Sequence, residues 1–490
     1  MSAQQGRPDR PKPRAGRQRP GRPDRRRPAP RRPSPRRLSD VDPVRQAAYD
    51  VLRAVRERDA YANLVLPQLL RERKITGRDA ALATELAYGA ARARGLLDAI
   101  IDACVDRGLS SVDGPVLDAL RLGTYQLLRT RIPEHAAVTS TVDLAREAAG
   151  SYVAGFVNAV MRKVADKDEA AWIEQLAPSV EDDPIGHHAL RTAHPRWIAR
   201  AFAEALGDKG AELAAALEAD DERPDVHLVA RPGEISADEL AAVSGGDVAP
   251  YSPYGVRLAA GAGDPGELEP VRERLAAVQD EGSQLCALAL ASAPIEGSDT
   301  RWLDLCAGPG GKAALLGALA DTVGATLDAV EKAPHRAKLI ETATEGLPVT
   351  VHVADGRDSG LEPGYDRVLV DAPCTGLGAL RRRPEARWRR QPNDVSDLVA
   401  LQTELLTAAM DLARPGGVVA YVVCSPHLAE TEGVVGDVVR TTGAEVLDTR
   451  EQFAGVDQLG DGPYVQLWPH RHGTDAMFCA LLRKTRGEQG

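Results

Sequence analysis

From about residue 266 to its end the chain alternates short apolar runs with longer amphipathic ones. TRWLDLCA, ATLDAVE, PVTVHVAD, YDRVLVDAP, GGVVAYVVCS, AEVLDT and AMFCALLRK are separated by stretches such as GGKAALLGALAD, HRAKLIETATEG and LVALQTELLTAAMDLA. Strands this apolar need cover on both faces, and intervening helices supply it through right-handed βαβ crossovers. Residues 271–490 are therefore expected to form a doubly wound, Rossmann-like α/β domain. Its functional groups should gather at the carboxyl ends of the strands.

At 490 residues the chain exceeds what one core usually supports. Apolar residues recur three or four apart from residue 41 to about 165, with breaks at Gly77, Gly114, Pro115 and Pro133, which predicts an all-α domain. Residues 166–270 predict a linker and small α+β subdomain without chemistry of its own. The net charge of −10 conceals a division. The first 37 residues hold 14 Lys and Arg, two Asp and nine Pro, while the remainder carries 47 basic against 69 acidic residues and stands at −22. With almost nothing apolar to bury, residues 1–40 are expected to be disordered, either a nucleic-acid-binding arm or a solvated extension. Six cysteines without a CxxC pair exclude a disulfide framework and a zinc site. No apolar run approaches the roughly 18 residues needed to span a bilayer, and the N-terminus lacks a signal-peptide pattern. A reducing cytoplasm fits this cysteine usage.

In LDLCAGPGGKAALL, Gly308, Gly310 and Gly311 allow a sharp turn and a close backbone approach before a helix N-terminus. The loop is neither a Walker A, which wants glycine where Cys306 stands and a hydroxyl where Ala313 stands, nor a GxGxxG fingerprint. Acids close the successive strands: Glu331, suited to ribose hydroxyls, Asp355, suited to an adenine amine, and Asp371. Beside a glycine loop without a pyrophosphate grip, this series points to S-adenosylmethionine.

Two further strands end in thiols, Cys374 and Cys424. One can attack and the other assist, as methylation of cytosine requires: carbon 5 is too electron-poor to take a methyl group until a thiolate has added to carbon 6. Chemistry alone does not choose between them. Cys104, Cys286 and Cys479 are expected to be small buried hydrophobes. Directly after Cys374, RRRPEARWRRQP carries six arginines and a tryptophan, and Arg381, Arg382, Arg383, Arg387 and Trp388 are candidates to clamp RNA phosphates and stack on unpaired bases.

The segments QDEGSQ, LDLCAGPGGK, VEKAPHR, DAPCTGLGALRRRPEARW, CSPHLAETE and LWPHRHGTD together resemble the RNA cytosine-5 methyltransferases of the NOL1/NOP2/Sun group. HAAVTSTVDLA followed by SYVAGFVNAVMRKV is similar to the NusB-like RNA-binding module. The resemblance covers about residues 41–484 and points to the bacterial ribosomal members. It implies that Cys306, Ala307, Gly308, Pro309, Gly310, Gly311, Lys312, Glu331, Arg336, Asp355 and Asp371 bind S-adenosylmethionine. It also implies that Cys424 is the nucleophile, that Cys374 assists product release, and that Asp371 with Lys312 holds the base. The implied substrate is 16S ribosomal RNA, at the cytosine of reference position 967, for a monomeric enzyme without a metal or a membrane. Alternatives are a methyltransferase of another RNA, of protein or of small molecules, or a non-catalytic assembly factor. Val423 stands where the family has threonine before the nucleophile, Thr431 where asparagine is usual, and Glu331 where aspartate is usual.

Overall fold

Helix formation starts where Asp42 caps Pro43–Arg58, its carboxylate accepting from the Val44 amide at 3.2 Å, with Pro43 at the first turn. A computed structural model describes residues 41–259 and 262–485; the basic stretch 1–40 lies outside the described residues. The first helix packs with Ala62–Arg73, Gly77–Arg92, Arg94–Cys104, Gly114–Arg129, Glu134–Ala149 and Ala154–Ala165 around one apolar core. The helices around Gly123 and Thr141 approach so closely that a Cβ on Gly123 would lie 2.2 Å from the Thr141 hydroxyl. The periodic run 79–102 is not one helix: it breaks at the buried Ala93. Helices also persist through Glu169–Leu176, Pro184–Arg191, Arg196–Leu206 and Leu213–Asp221, so the first half of the expected α+β stretch is helical.

A small antiparallel sheet follows, built from β1 (Val226–Ala230), β2 (Asp247–Val248), β3 (Gly255–Leu258) and β4 (Ala276–Val278) in the order β2-β3-β1-β4. Strand β4 lies past residue 270, because pairing with β1 draws it into this sheet rather than the next.

The main sheet comprises β5 (Arg301–Asp304), β6 (Thr326–Val330), β7 (Val349–His352), β8 (Tyr365–Asp371), β9 (Ala413–Val423), β10 (Glu445–Val446), β11 (Val465–Gln466) and β12 (Phe478–Arg483). Their order is β10-β12-β9-β8-β5-β6-β7, with β11 also on β12. Alternate residues of β9 serve two cores: Val418, Ala420 and Val422 face one, Val419, Tyr421 and Val423 the other. Strands β5 to β9 pair in parallel, but β12 runs antiparallel to β9 and β10, so the sheet is mixed. Only β11 and two one-turn helices, Thr449–Gln452 and Pro469–His472, lie between β10 and β12, and a connection without a long crossover helix returns antiparallel. From β5 the chain proceeds to β6 and β7 on one side and to β8 and β9 on the other. The carboxyl ends of β5 and β8 therefore flank the crevice where such sheets bind ligands.

The arginine-rich segment after β8 fastens this sheet to the helices. Arg387 is fully buried and donates to the Asp221 carboxylate at 2.8 Å and the Asp220 carbonyl at 2.6 Å, while Asp220 also meets His194 at 2.9 Å. Glu385 accepts from the Ala62 amide at 3.2 Å, serving a helix more than three hundred residues upstream. Trp388 lies against Gly95, where a Cβ would come within 2.5 Å of its ring. Because Arg387→Ala removes the cation facing the buried Asp220, whose remaining side-chain partner is His194, it should cost about 3–5 kcal/mol. The check is a thermal melt, in which the midpoint falls by several degrees.

Candidate active site

The loop Cys306 to Lys312 leaves β5 and turns against Glu331 at the end of β6. Oε1 of Glu331 accepts from the Ala333 amide at 2.8 Å, and Oε2 pairs with Arg336 at 3.1 Å. Arg336 also donates to the Gly308 carbonyl, closing a link between loop and acid. A Cβ on Gly308 would lie 2.1 Å from Oε2 of Glu331, so only glycine lets the acid reach this position. Gly310, at φ 116°, turns the chain into the Gly311–Thr322 helix. Asp355 receives Arg357 and Lys332 at 2.7 and 2.9 Å, and these hydrogen bonds hold its carboxyl well below the usual range. Arg357 and Lys332 together place four hydrogen bonds on it, two on each oxygen, so an amine would take the place of the exposed Lys332. Lys312 and Asp371 meet at 2.9 Å beneath the crevice. Burial alone would lower the Lys312 pKa, but the Asp371 carboxylate more than offsets it and raises it.

Asp304, at the end of β5, was not among the expected residues. It is completely buried, its Oδ1 receives only the Cys306 amide at 3.4 Å, and its Oδ2 has no partner. Burial, then the Asp371 charge, pushes its carboxyl up to about 7. The rule that singled out Glu331, Asp355 and Asp371, an acid closing a strand, also finds Asp304.

The two strand-end thiols converge, with Sγ atoms of Cys374 and Cys424 3.4 Å apart. The neighbouring sulfur and burial push the Cys374 thiol well up, so it keeps its proton. Glu430, fully buried, braces both loops: it accepts from the Thr375 amide at 2.7 Å, the Ser425 hydroxyl at 2.7 Å and the Gln402 amide at 3.0 Å. Arg390 donates to the Cys374 and Thr375 carbonyls at 3.4 and 3.2 Å. Neither Glu430 nor Arg390 is legible in the sequence, since their partners arrive from distant segments. The Ala429–Gly433 segment is a π-turn preceding the Val434–Thr442 helix. Val423 is buried in the sheet core, and Thr431 bonds back to the His427 carbonyl at 3.1 Å. Cys104, Cys286 and Cys479 are buried.

The expected RNA clamp needs correction. Arg381 and Arg382 point inward to Asp280 and Asp475, in ion pairs of 2.6 to 3.3 Å, joining three of the motifs quoted above into one network. Arg387 is enclosed and Trp388 half-buried. Guanidinium groups next to acids are drawn into the interior, and composition does not reveal that. Of the five candidates only Arg383 is exposed.

A glycine loop that admits a buried acid, an orphaned carboxylate oxygen suited to an ammonium donor, and acids closing the next strands fit S-adenosylmethionine. The fold and site define a Rossmann-like S-adenosylmethionine-dependent methyltransferase joined to a helical module. Residues 289–483 match the model described as 16S rRNA methyltransferase RsmB/F, and residues 42–166 match the NusB family. The chain is 61% identical over 445 residues to a Mycobacterium tuberculosis protein named only as a methyltransferase, covering 91% of this chain and 97% of the other. It is 32% identical to ribosomal RNA small subunit methyltransferase B of Pseudomonas putida, covering 91% and 99%. Among solved structures, PH0851 superposes with a TM-score of 0.74 at 21% identity, covering 91% and 99%. The NSun6 of Pyrococcus horikoshii with SFG gives 0.51 at 18%, covering 60% and 98%. The chain belongs to the RsmB/F family of 16S rRNA methyltransferases. Among the described residues no helix is long and apolar enough to cross a membrane.

Gly308→Ala should force Glu331 aside and weaken S-adenosylmethionine binding about tenfold or more, read by titration calorimetry. Asp304 sets a pH dependence. An unfolded chain releases this proton near about pH 4, whereas the folded form holds it to about 7, so ligand-free stability falls as pH rises between those values. Melts from pH 4.5 to 8 should show that fall in the wild type and a flatter profile in Asp304→Asn.

Proposed function

We propose that the chain methylates carbon 5 of a cytosine in small-subunit ribosomal RNA through a covalent adduct to Cys424, acting as a cytoplasmic monomer. The observation that carries this reading is the 3.4 Å approach of the two sulfurs with Cys374 held protonated. A protonated Cys374 can donate its S–H to the Cys424 sulfur, and the Lys312 ammonium lies close enough to interact with that sulfur. The cytosine at reference position 967 is the proposed target.

Asp371 and Lys312 hold the flipped base and favour a proton on its ring nitrogen, making carbon 6 electrophilic. The Cys424 thiolate adds there, and the electrons released into the ring make carbon 5 nucleophilic. When bound, S-adenosylmethionine supplies the methyl group from its sulfonium. The loop Cys306 to Lys312 and Asp371 would hold its amino-acid end, Glu331 the ribose, with Arg336 orienting that acid, and Asp355 the adenine amine. Loss of the carbon 5 proton then restores the aromatic ring and expels the Cys424 thiolate, with Cys374 assisting.

With unmodified rRNA and cofactor, Cys374→Ala should accumulate a protein–RNA adduct that survives denaturation, while Cys424→Ala forms none; the reverse pattern would overturn the assignment. Tritium transfer from labelled cofactor separates an enzyme from an assembly factor, and bisulfite sequencing of the product locates the methylated cytosine.

A further inference from the structure

With Arg381, Arg382 and Arg387 engaged by acids, a positive and aromatic surface is left where the helical region meets the loop after β8. Tyr61, 41% exposed, precedes the Ala62–Arg73 helix, and two guanidinium groups lie over its ring, Arg383 at 5.4 Å and Arg389 at 5.0 Å from the ring centre. Arg389 is anchored by the Ala60 carbonyl and lies 3.9 Å from Asp59, whereas Arg383 is exposed and forms no salt bridge among the described residues. The exposed part of this ring and the guanidinium planes over it offer a base a stacking surface, and their charge meets the adjoining phosphates.

The position links this surface to the chemistry. Arg390, next in sequence to Arg389, donates to the carbonyls of Cys374 and Thr375. A target base can reach the thiols only after leaving its stack, which leaves flanking nucleotides unstacked and in need of a surface. We infer that Tyr61, Arg383 and Arg389 form a stacking platform for a single-stranded nucleotide flanking the target, built jointly by the helical and catalytic regions. The inference rests on RNA being the substrate.

The test uses the full chain and in vitro transcribed 16S rRNA in filter-binding titrations at several salt concentrations. Tyr61→Ala should weaken binding roughly tenfold and Tyr61→Phe, which keeps the ring, should restore it. Arg383→Gln should weaken binding and reduce the salt slope by about one. Calorimetric binding of S-adenosylmethionine should be unchanged in all three, which a merely misfolded variant would not manage. If Tyr61→Ala does not fold, Arg383→Gln, altered only at the surface, carries the test. Wild-type affinity and salt slope in Tyr61→Ala and Arg383→Gln would overturn the platform, as would equal losses in Tyr61→Ala and Tyr61→Phe. Methyl transfer by the wild type is scored separately: its absence alongside Tyr61-dependent binding would sink the methylation reading and leave the platform standing.

Discussion

The Glu430 carboxylate, fully enclosed between β8, β9 and the Asp394–Leu412 helix, sets the geometry on which the site depends. Removing a charge from water costs several kcal/mol unless its oxygens are satisfied. Here the donors are the residue after one cysteine, the residue after the other, and Gln402. The thiols are thus brought together by their neighbours as well as by the contact between their own sulfurs. The parallel pairing of β8 with β9, with Asp371 opposite Val422, brings both strand ends to the same level, and the brace fixes what the sheet leaves adjustable.

A second consequence concerns charge. The twelve residues 381–392 contain six arginines, which in isolation suggest an electropositive surface. Acids from the helical region and from the segments preceding β5 and β12 absorb three of them: Asp220 and Asp221 for Arg387, Asp280 and Asp475 for Arg381 and Arg382. These pairs specify how regions interlock more than they stabilise the whole, since buried ion pairs recover little beyond their desolvation.

What was legible in the sequence follows from locality. Strand runs bounded by Asp371, Glu331 and the cysteines announce themselves because buried parallel strands are continuously apolar and their functional residues sit at one end. The helical region was legible by periodicity, although its break at Ala93 was not, since a buried alanine carries no breaker signal. Interactions between distant segments were illegible: the inward turn of Arg381, the cap that Glu385 gives Ala62, the brace of Glu430. The antiparallel β12 escaped for a similar reason, since an apolar run has the same composition in either direction.

The cap that Glu385 provides to the Ala62 amide bears on how such a chain can be divided. A fragment ending after the seventh helix loses Trp172 and Ala193 from its apolar core and leaves the Ala62 amide without this acceptor. It also exposes the groove at Gly95 that Trp388 fills. The end of the NusB match at residue 166 is thus not a seam in the folded protein. Recombining the helical module with a different catalytic partner would have to carry over the loop of that partner as well, so the two behave as one heritable unit.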